Sequence, residues 1–223
     1  MKSYSIPLLT AVLFLFIGCV AQTSLEPLGK GNTRTNVSLG GPLIEVFGTH
    51  MPVPYLTGGI EQGISDRINA SATVHLLPLI YEVAGLDLAA TWFPVTQEGW
   101  KPTVGLQGKV MGYASLRSGV GDRFRAYPIL TPTFAWKRGS RLCFAGSDLV
   151  VPLTRSDYDN ESVKTILSPF IGAKWKIGSN LWLTTELKWQ GANAESDQLA
   201  VKYVALAGRG AFTPLVSLEW GAR

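Results

Sequence analysis

Ile68-Asn69-Ala70-Ser71-Ala72-Thr73-Val74-His75-Leu76 places apolar side chains at 68, 70, 72, 74 and 76 and polar ones at 69, 71, 73 and 75. Successive side chains of an extended strand point to opposite faces, so this stretch predicts a strand with one apolar and one polar face. The same period of two recurs elsewhere. Over 53–64, Leu56, Gly58, Ile60 and Ile64 oppose Tyr55, Thr57, Gly59 and Glu61. Over 84–93, Ala84, Leu86, Leu88, Ala90 and Trp92 oppose Asp87 and Thr91. Leu181, Leu183, Thr185, Leu187 and Trp189 oppose Thr184, Glu186, Lys188 and Gln190, and Phe212, Pro214, Val216, Leu218 and Trp220 oppose Thr213, Ser217 and Glu219.

The chain has 223 residues, a length that suits one domain. Its residues are 46% hydrophobic and only 16% charged, yet no apolar run long enough to cross a bilayer as a helix follows the N-terminus. A helical membrane bundle is thereby excluded. The formal charge of +4 is modest, and its Lys and Arg residues are scattered, so no nucleic-acid partner is expected.

Residues 1–18 read as an export signal, with Lys2 as the positive start and Leu8 to Ile17 as the apolar core. They lead into Leu15-Phe16-Ile17-Gly18-Cys19, which resembles the lipobox of bacterial lipoproteins. The resemblance implies lipid attachment at Cys19; the alternative is ordinary cleavage after Ala21, with Cys19 discarded. Phe16 departs from the Leu usual there, and Val20 is not the Asp that the family uses for inner-membrane retention. In either case Cys143 has no internal disulfide partner. Residues 19–36, rich in Gly, Thr and Asn, read as a flexible, lipidated tether.

From Val37 to the end, ten strands are predicted: 37–48, 53–64, 67–77, 84–93, 102–113, 126–137, 140–153, 165–178, 180–191 and 210–221. In the seventh the phase slips near Ser147 and Asp148, which predicts a bulge. Tight turns are expected at Ser65-Asp66-Arg67, Arg138-Gly139-Ser140 and Gly178-Ser179-Asn180. The alternate connections, Met111 to Arg125, Thr154 to Lys164 and Ala192 to Arg209, are longer. Short turns at one end and long loops at the other are the pattern of bacterial outer-membrane barrels, with both termini on the periplasmic side. Trp92, Trp136, Trp175 and Trp220 fall near equivalent strand ends on the outward phase, the place of an aromatic girdle. Pro128, Pro132, Pro169 and Pro214 lie inside predicted strands, where each removes a ladder donor, so local breaks are expected there.

The whole chain resembles lipoprotein-type outer-membrane barrels. The expected fold is all-β: a single antiparallel up-and-down transmembrane β-barrel over 37–223, of about ten strands, with eight or twelve as alternatives. By phase its interior holds Glu61, His75, Asp87, Lys109, Lys174, Glu186, Lys188 and Glu219. Mixed charges in a narrow barrel must pair or be wetted, and a barrel of this size is filled by side chains.

For catalysis only His50 and His75 are available as bases, with Ser71 and Asp87 on the same inward phase as His75. No Gly-x-Ser-x-Gly elbow and no Cys/His metal spacing occurs, so no catalytic set, metal or other cofactor is assigned. Cys143 is placed on the inward phase as filler. Asp157, Asp159, Asn160 and Glu161 lack the Gly and spacing of a calcium loop. Arg117, Arg123 and Arg125 are candidates for contacts with the phosphates of lipopolysaccharide.

The expectation is therefore an outer-membrane lipoprotein whose partners are membrane lipid and lipopolysaccharide, with a structural or surface-interaction role through its outer loops. Its alternatives are a small channel, an outer-membrane enzyme and a soluble periplasmic β-domain tethered at Cys19. The oligomeric state is left open.

Overall fold

The computed structural model describes residues 23–46, 49–117, 124–151, 165–196 and 203–222. Its strands are β1 (Thr33–Gly40), β2 (Leu43–Val46), β3 (Thr49–Pro52), β4 (Tyr55–Ser65), β5 (Ile68–His75), β6 (Val83–Val95), β7 (Thr103–Ser115), β8 (Phe124–Arg138), β9 (Arg141–Val150), β10 (Ile166–Lys176), β11 (Leu181–Glu195) and β12 (Arg209–Ala222). A short 3-10 helix, Leu77–Tyr81, follows β5. Every pairing is antiparallel, and β1 pairs with both β4 and β12, so ten strands close into a barrel. The fold is the one that the period-two pattern predicts.

Two-residue turns join β4 to β5 and β8 to β9, the second with Gly139 at a φ of 58°. That left-handed conformation suits glycine and matches the twist of a tight hairpin. These turns lie at the end of the barrel where Thr33 pairs with Ala222 and Gln62, called the lower end below. Gly40, His75, Ser115, Val150 and Glu195 end their strands at the opposite, upper end.

The first strand differs from expectation. It starts at Thr33, inside the predicted tether, and stops at Gly40 instead of running to residue 48. Gly41 and Pro42 follow, and Pro42 has no N–H for a ladder. The chain beyond them makes a separate hairpin, β2 with β3, which bridges to Tyr203 in the last upper connection. His50 is exposed on this hairpin.

Residues 23–32 differ more. Instead of a tether they form a segment packed into the lower lumen, where Thr23, Ser24 and Leu25 are buried. Leu25 packs with Ala135, Leu142, Phe144 and Phe170. This also explains the apparent phase slip in β9. Its register against β10 runs unbroken from Arg141 to Val150, without a bulge. Leu142 and Phe144 face inward because an apolar segment meets them there, while Cys143 is exposed on the outer face, not inward filler. Register shifts occur elsewhere, at Gly63/Ser65, Trp92/Val95 and Gln190/Glu195.

Each proline is in register with one neighbouring strand and faces a gap in the ladder on its other side. The Pro128 carbonyl accepts from Val151 and the Pro214 carbonyl from Gly41, just beyond the strand pairs that begin at Ile129 and end at Gly40. The β8–β9 pairing skips from Leu130 to Thr133, sparing Pro132 a donor, and β10–β11 begins at Phe170, after Pro169. Each missing N–H falls at a gap in the pairing.

Candidate functional site

Polarity is inverted relative to a water-soluble β-barrel. Outward residues at alternate positions are apolar and open: Ile60 is 49% exposed, Leu88 55%, Val110 50% and Ile171 63%. Inward residues are polar and buried. Glu61, His75, Asp87, Lys109, Lys174, Glu186, Lys188 and Glu219 all lie in the lumen. Such charges are tolerable out of water only in contact with one another, and the lumen separates them into three networks.

The lower network joins the segment 23–32 to seven strands, β1, β4, β5, β8, β10, β11 and β12. Arg34 of β1 reaches Glu61 at 2.5 Å and Glu219 at 3.1 Å. Lys174 donates to Glu219 at 2.6 Å, and the Thr184 hydroxyl donates to the other oxygen of the same carboxylate. Ser24 donates to Glu61, and the Asn69 amide donates to Ser24 Oγ, to Glu61 and to the Glu26 carbonyl, while its oxygen accepts from the Leu28 N–H. Glu26 lies among three cations: Lys137 at 2.7 Å, Lys174 at 3.7 Å and Arg34 at 3.8 Å. Burial by itself would raise the Glu26 carboxyl, but Lys174, then Lys137 and Arg34, outweigh it and hold it below the ordinary value of 4.5. Trp182 faces the same space, with the Lys174, Lys137 and Lys176 ammonium groups 5.2, 5.7 and 5.9 Å from its ring.

A second network spans the wall from β8 to β11. Lys188 donates to Asp148 at 2.5 Å and lies 3.4 Å from Glu186, with its ammonium 4.9 Å from the centre of the Phe170 ring. Thr131 donates to the other Asp148 oxygen at 2.6 Å. Phe170 can lie flat there because Gly146 has no side chain; a Cβ on Gly146 would come within 2.5 Å of its ring.

The third network is near the upper end. Thr73 pairs with Asp87 and His75 with Gly85, which sets Asp87 diagonally beside the histidine. His75 Nε2 is 2.7 Å from Asp87 Oδ1, Tyr55 Oη meets His75 Nδ1, and Tyr113 Oη is 2.5 Å from Tyr55 Oη. His75 thus bridges the Asp87 carboxyl group through Nε2 and the Tyr55 hydroxyl through Nδ1. The result is a hydrogen-bonded chain, Tyr113–Tyr55–His75–Asp87, buried at His75 and Asp87 and half-buried at the tyrosines. Asp87 Oδ2 has no hydrogen-bond partner among the described residues.

The sequence did not single out Arg34, Glu26, Asn69, Asp148, Tyr55 or Tyr113. Asn69 and Tyr55 stood in plain view on polar faces, whereas Glu26 and Arg34 were hidden in the presumed tether. Trp92, Trp136 and Trp220 are 52%, 37% and 44% exposed on the outer face toward the lower end, and Trp175 is half-buried there. Arg117 pairs with Glu82 at 2.8 Å in an exposed contact, and Arg125 is exposed on β8. Cys19, Arg123, Asp157, Asp159, Asn160 and Glu161 lie outside the described residues. Among the described residues no group of His, Cys, Asp and Glu is placed to hold a metal ion.

No family model and no curated protein matches this chain. Among solved structures it is similar to the translocator domain of autotransporter NalP from Neisseria meningitidis, at 12% identity and a TM-score of 0.44, covering 86% of this chain and 88% of that one. It is also similar to the outer membrane protease OmpT from Escherichia coli, at 11% identity and a TM-score of 0.42, covering 90% of this chain and 99% of that one. Similarity this low carries no argument about fold or activity.

Proposed function

We propose that this chain is a bacterial outer-membrane β-barrel protein, lipid-anchored at Cys19, with a structural or surface-interaction role. One observation carries the reading: a closed barrel whose outward positions are apolar and open on nearly every strand and whose inward positions are charged and paired. In water such a belt is an aggregation hazard; in lipid it is the required surface. The lumen supports a non-conducting role, because Lys174 and Glu219 meet inside it with no exposed side-chain area and residues 23–32 pack beneath them. Function then falls to the upper loops, with Arg117, Arg123 and Arg125 as contacts for lipopolysaccharide phosphates.

Alkaline carbonate washing and planar-bilayer recording test this. A Cys19→Ser protein retained in the membrane pellet, with no steady conductance, is the expected result. Release into the supernatant would identify a soluble domain held only by lipid, and a steady selective conductance would identify a channel.

A second reading rests on the Tyr113–Tyr55–His75–Asp87 hydrogen-bonded chain, which is suited to general acid–base work at the upper mouth. An outer-membrane enzyme acting on lipids or peptides would lose its activity in a folded His75→Ala variant. A wild type inert on both substrate classes would dispose of that reading.

A further inference from the structure

We infer that Arg34, Lys137 and Lys174 form an oxyanion-binding site in the lower lumen. The chain fills this site with its own Glu26 carboxylate, and the site accepts a carboxylate or phosphate once that side chain is removed. The charge balance is the first support. Three cations, Arg34, Lys137 and Lys174, face three carboxylates, Glu26, Glu61 and Glu219. Arg34 and Lys174 would still have Glu61 and Glu219 without Glu26, but Lys137 ion-pairs with Glu26 alone among the described residues. Removal of Glu26 leaves the Lys137 ammonium without an ion-pair partner among the described residues, near the buried Lys174 and Arg34, a concentration of positive charge that favours a counter-ion.

Access is the second support. Lys137 retains 36% of its side-chain exposure and Glu26 12%, so the site touches solvent at the lower mouth. A cavity of about 630 Å³ borders both residues, walled by Asn32, Gln97, Thr103 and Leu142. Gln97 fixes that wall. Its amide donates to the Lys137 carbonyl at 2.9 Å, and its oxygen accepts from the Lys137 N–H at 2.6 Å. The Lys137 backbone is thereby fixed at the cavity rim, and its ammonium meets Glu26 from there. On this account residues 23–32 are a plug kept in place by a self-supplied ligand.

The test is chemical rescue in the full-length protein, read as thermal unfolding by far-ultraviolet circular dichroism at constant ionic strength. In sodium chloride, Glu26→Ala is expected to unfold roughly 10 °C below wild type. Sodium acetate or inorganic phosphate should restore most of that loss along a saturating curve. Wild type, whose site is filled, and Glu26→Gln, whose amide occupies the same space, should not respond. A further arm replaces the free oxyanions with phosphatidylglycerol in the micelles. Recovery there identifies a lipid headgroup as the ligand, and recovery only with the free ions identifies a soluble one.

The inference is overturned if Glu26→Ala matches wild type in chloride. It is also overturned if no arm restores the alanine variant more than the glutamine variant. Should Glu26→Ala fail to fold in chloride, refolding in acetate decides the matter in the same way: recovery supports the site, and continued failure removes it.

Discussion

Lys174 and Glu219, on β10 and β12 to either side of β11, meet inside the lumen at 2.6 Å, and neither side chain has any exposed area. A pair so placed costs more to break than to replace. Lys174→Met leaves a buried carboxylate with one partner fewer and should lower the unfolding free energy by about 3–5 kcal/mol. The double variant Lys174→Met, Glu219→Leu should recover a large part of that loss, although Arg34 also leans on Glu219 at 3.1 Å. Urea unfolding of the two variants in lipid vesicles checks this.

The outer face obeys the opposite rule. Ile171 is 63% exposed near the middle of β10 and pairs with Leu187 of β11. In lipid, Ile171→Arg should cost about 2–4 kcal/mol. On a water-facing surface the same change falls within about 0.5 kcal/mol. The same vesicle unfolding assay separates the two values.

Gly85 lies directly opposite His75, and a Cβ there would sit 2.8 Å from the imidazole. The ring lies over bare backbone. Gly85→Ala should therefore push His75 away from Asp87 at a cost of about 1–3 kcal/mol. A His75 ring N–H resonance protected from exchange in wild type should be lost in the variant.

Glu26 gives the plug a pH dependence of definite sign. Its folded-state pKa lies below the ordinary 4.5, so the stability it contributes is complete above that value and is lost as the pH falls through the folded-state pKa. Thermal unfolding of wild type and Glu26→Gln should differ by a constant amount at neutral pH and converge under acid. A difference that persists unchanged well below 4.5 would contradict the assignment.

The sequence made the barrel legible because an apolar outer face and a polar packed interior imprint a period of two, clearest in β4, β6, β11 and β12. It concealed β1 because Thr33-Arg34-Thr35-Asn36 is polar on both faces, so alternation carries no signal there. It misled in β9, where Leu142 and Phe144 look lipid-facing but meet Leu25 of the inserted segment. An apolar residue in a strand does not declare which apolar neighbour it will find. The site was legible as a set of inward residues and not as contacts. His75 and Asp87 could be placed in the same interior, but their meeting depends on the β5–β6 register, which the 76–82 connection does not reveal in sequence.

The claim on which the rest depends is that one face of each strand meets lipid while the other is packed in a dry lumen. Spin labels placed one at a time from 183 to 189 along β11, in a Cys143→Ser background in vesicles, measure this directly. Collisions with dissolved oxygen should peak at 183, 185, 187 and 189, with little access for a water-soluble nickel complex, and both should be low at 184, 186 and 188. High nickel access at 183, 185 and 187 would place that face in water and contradict the account.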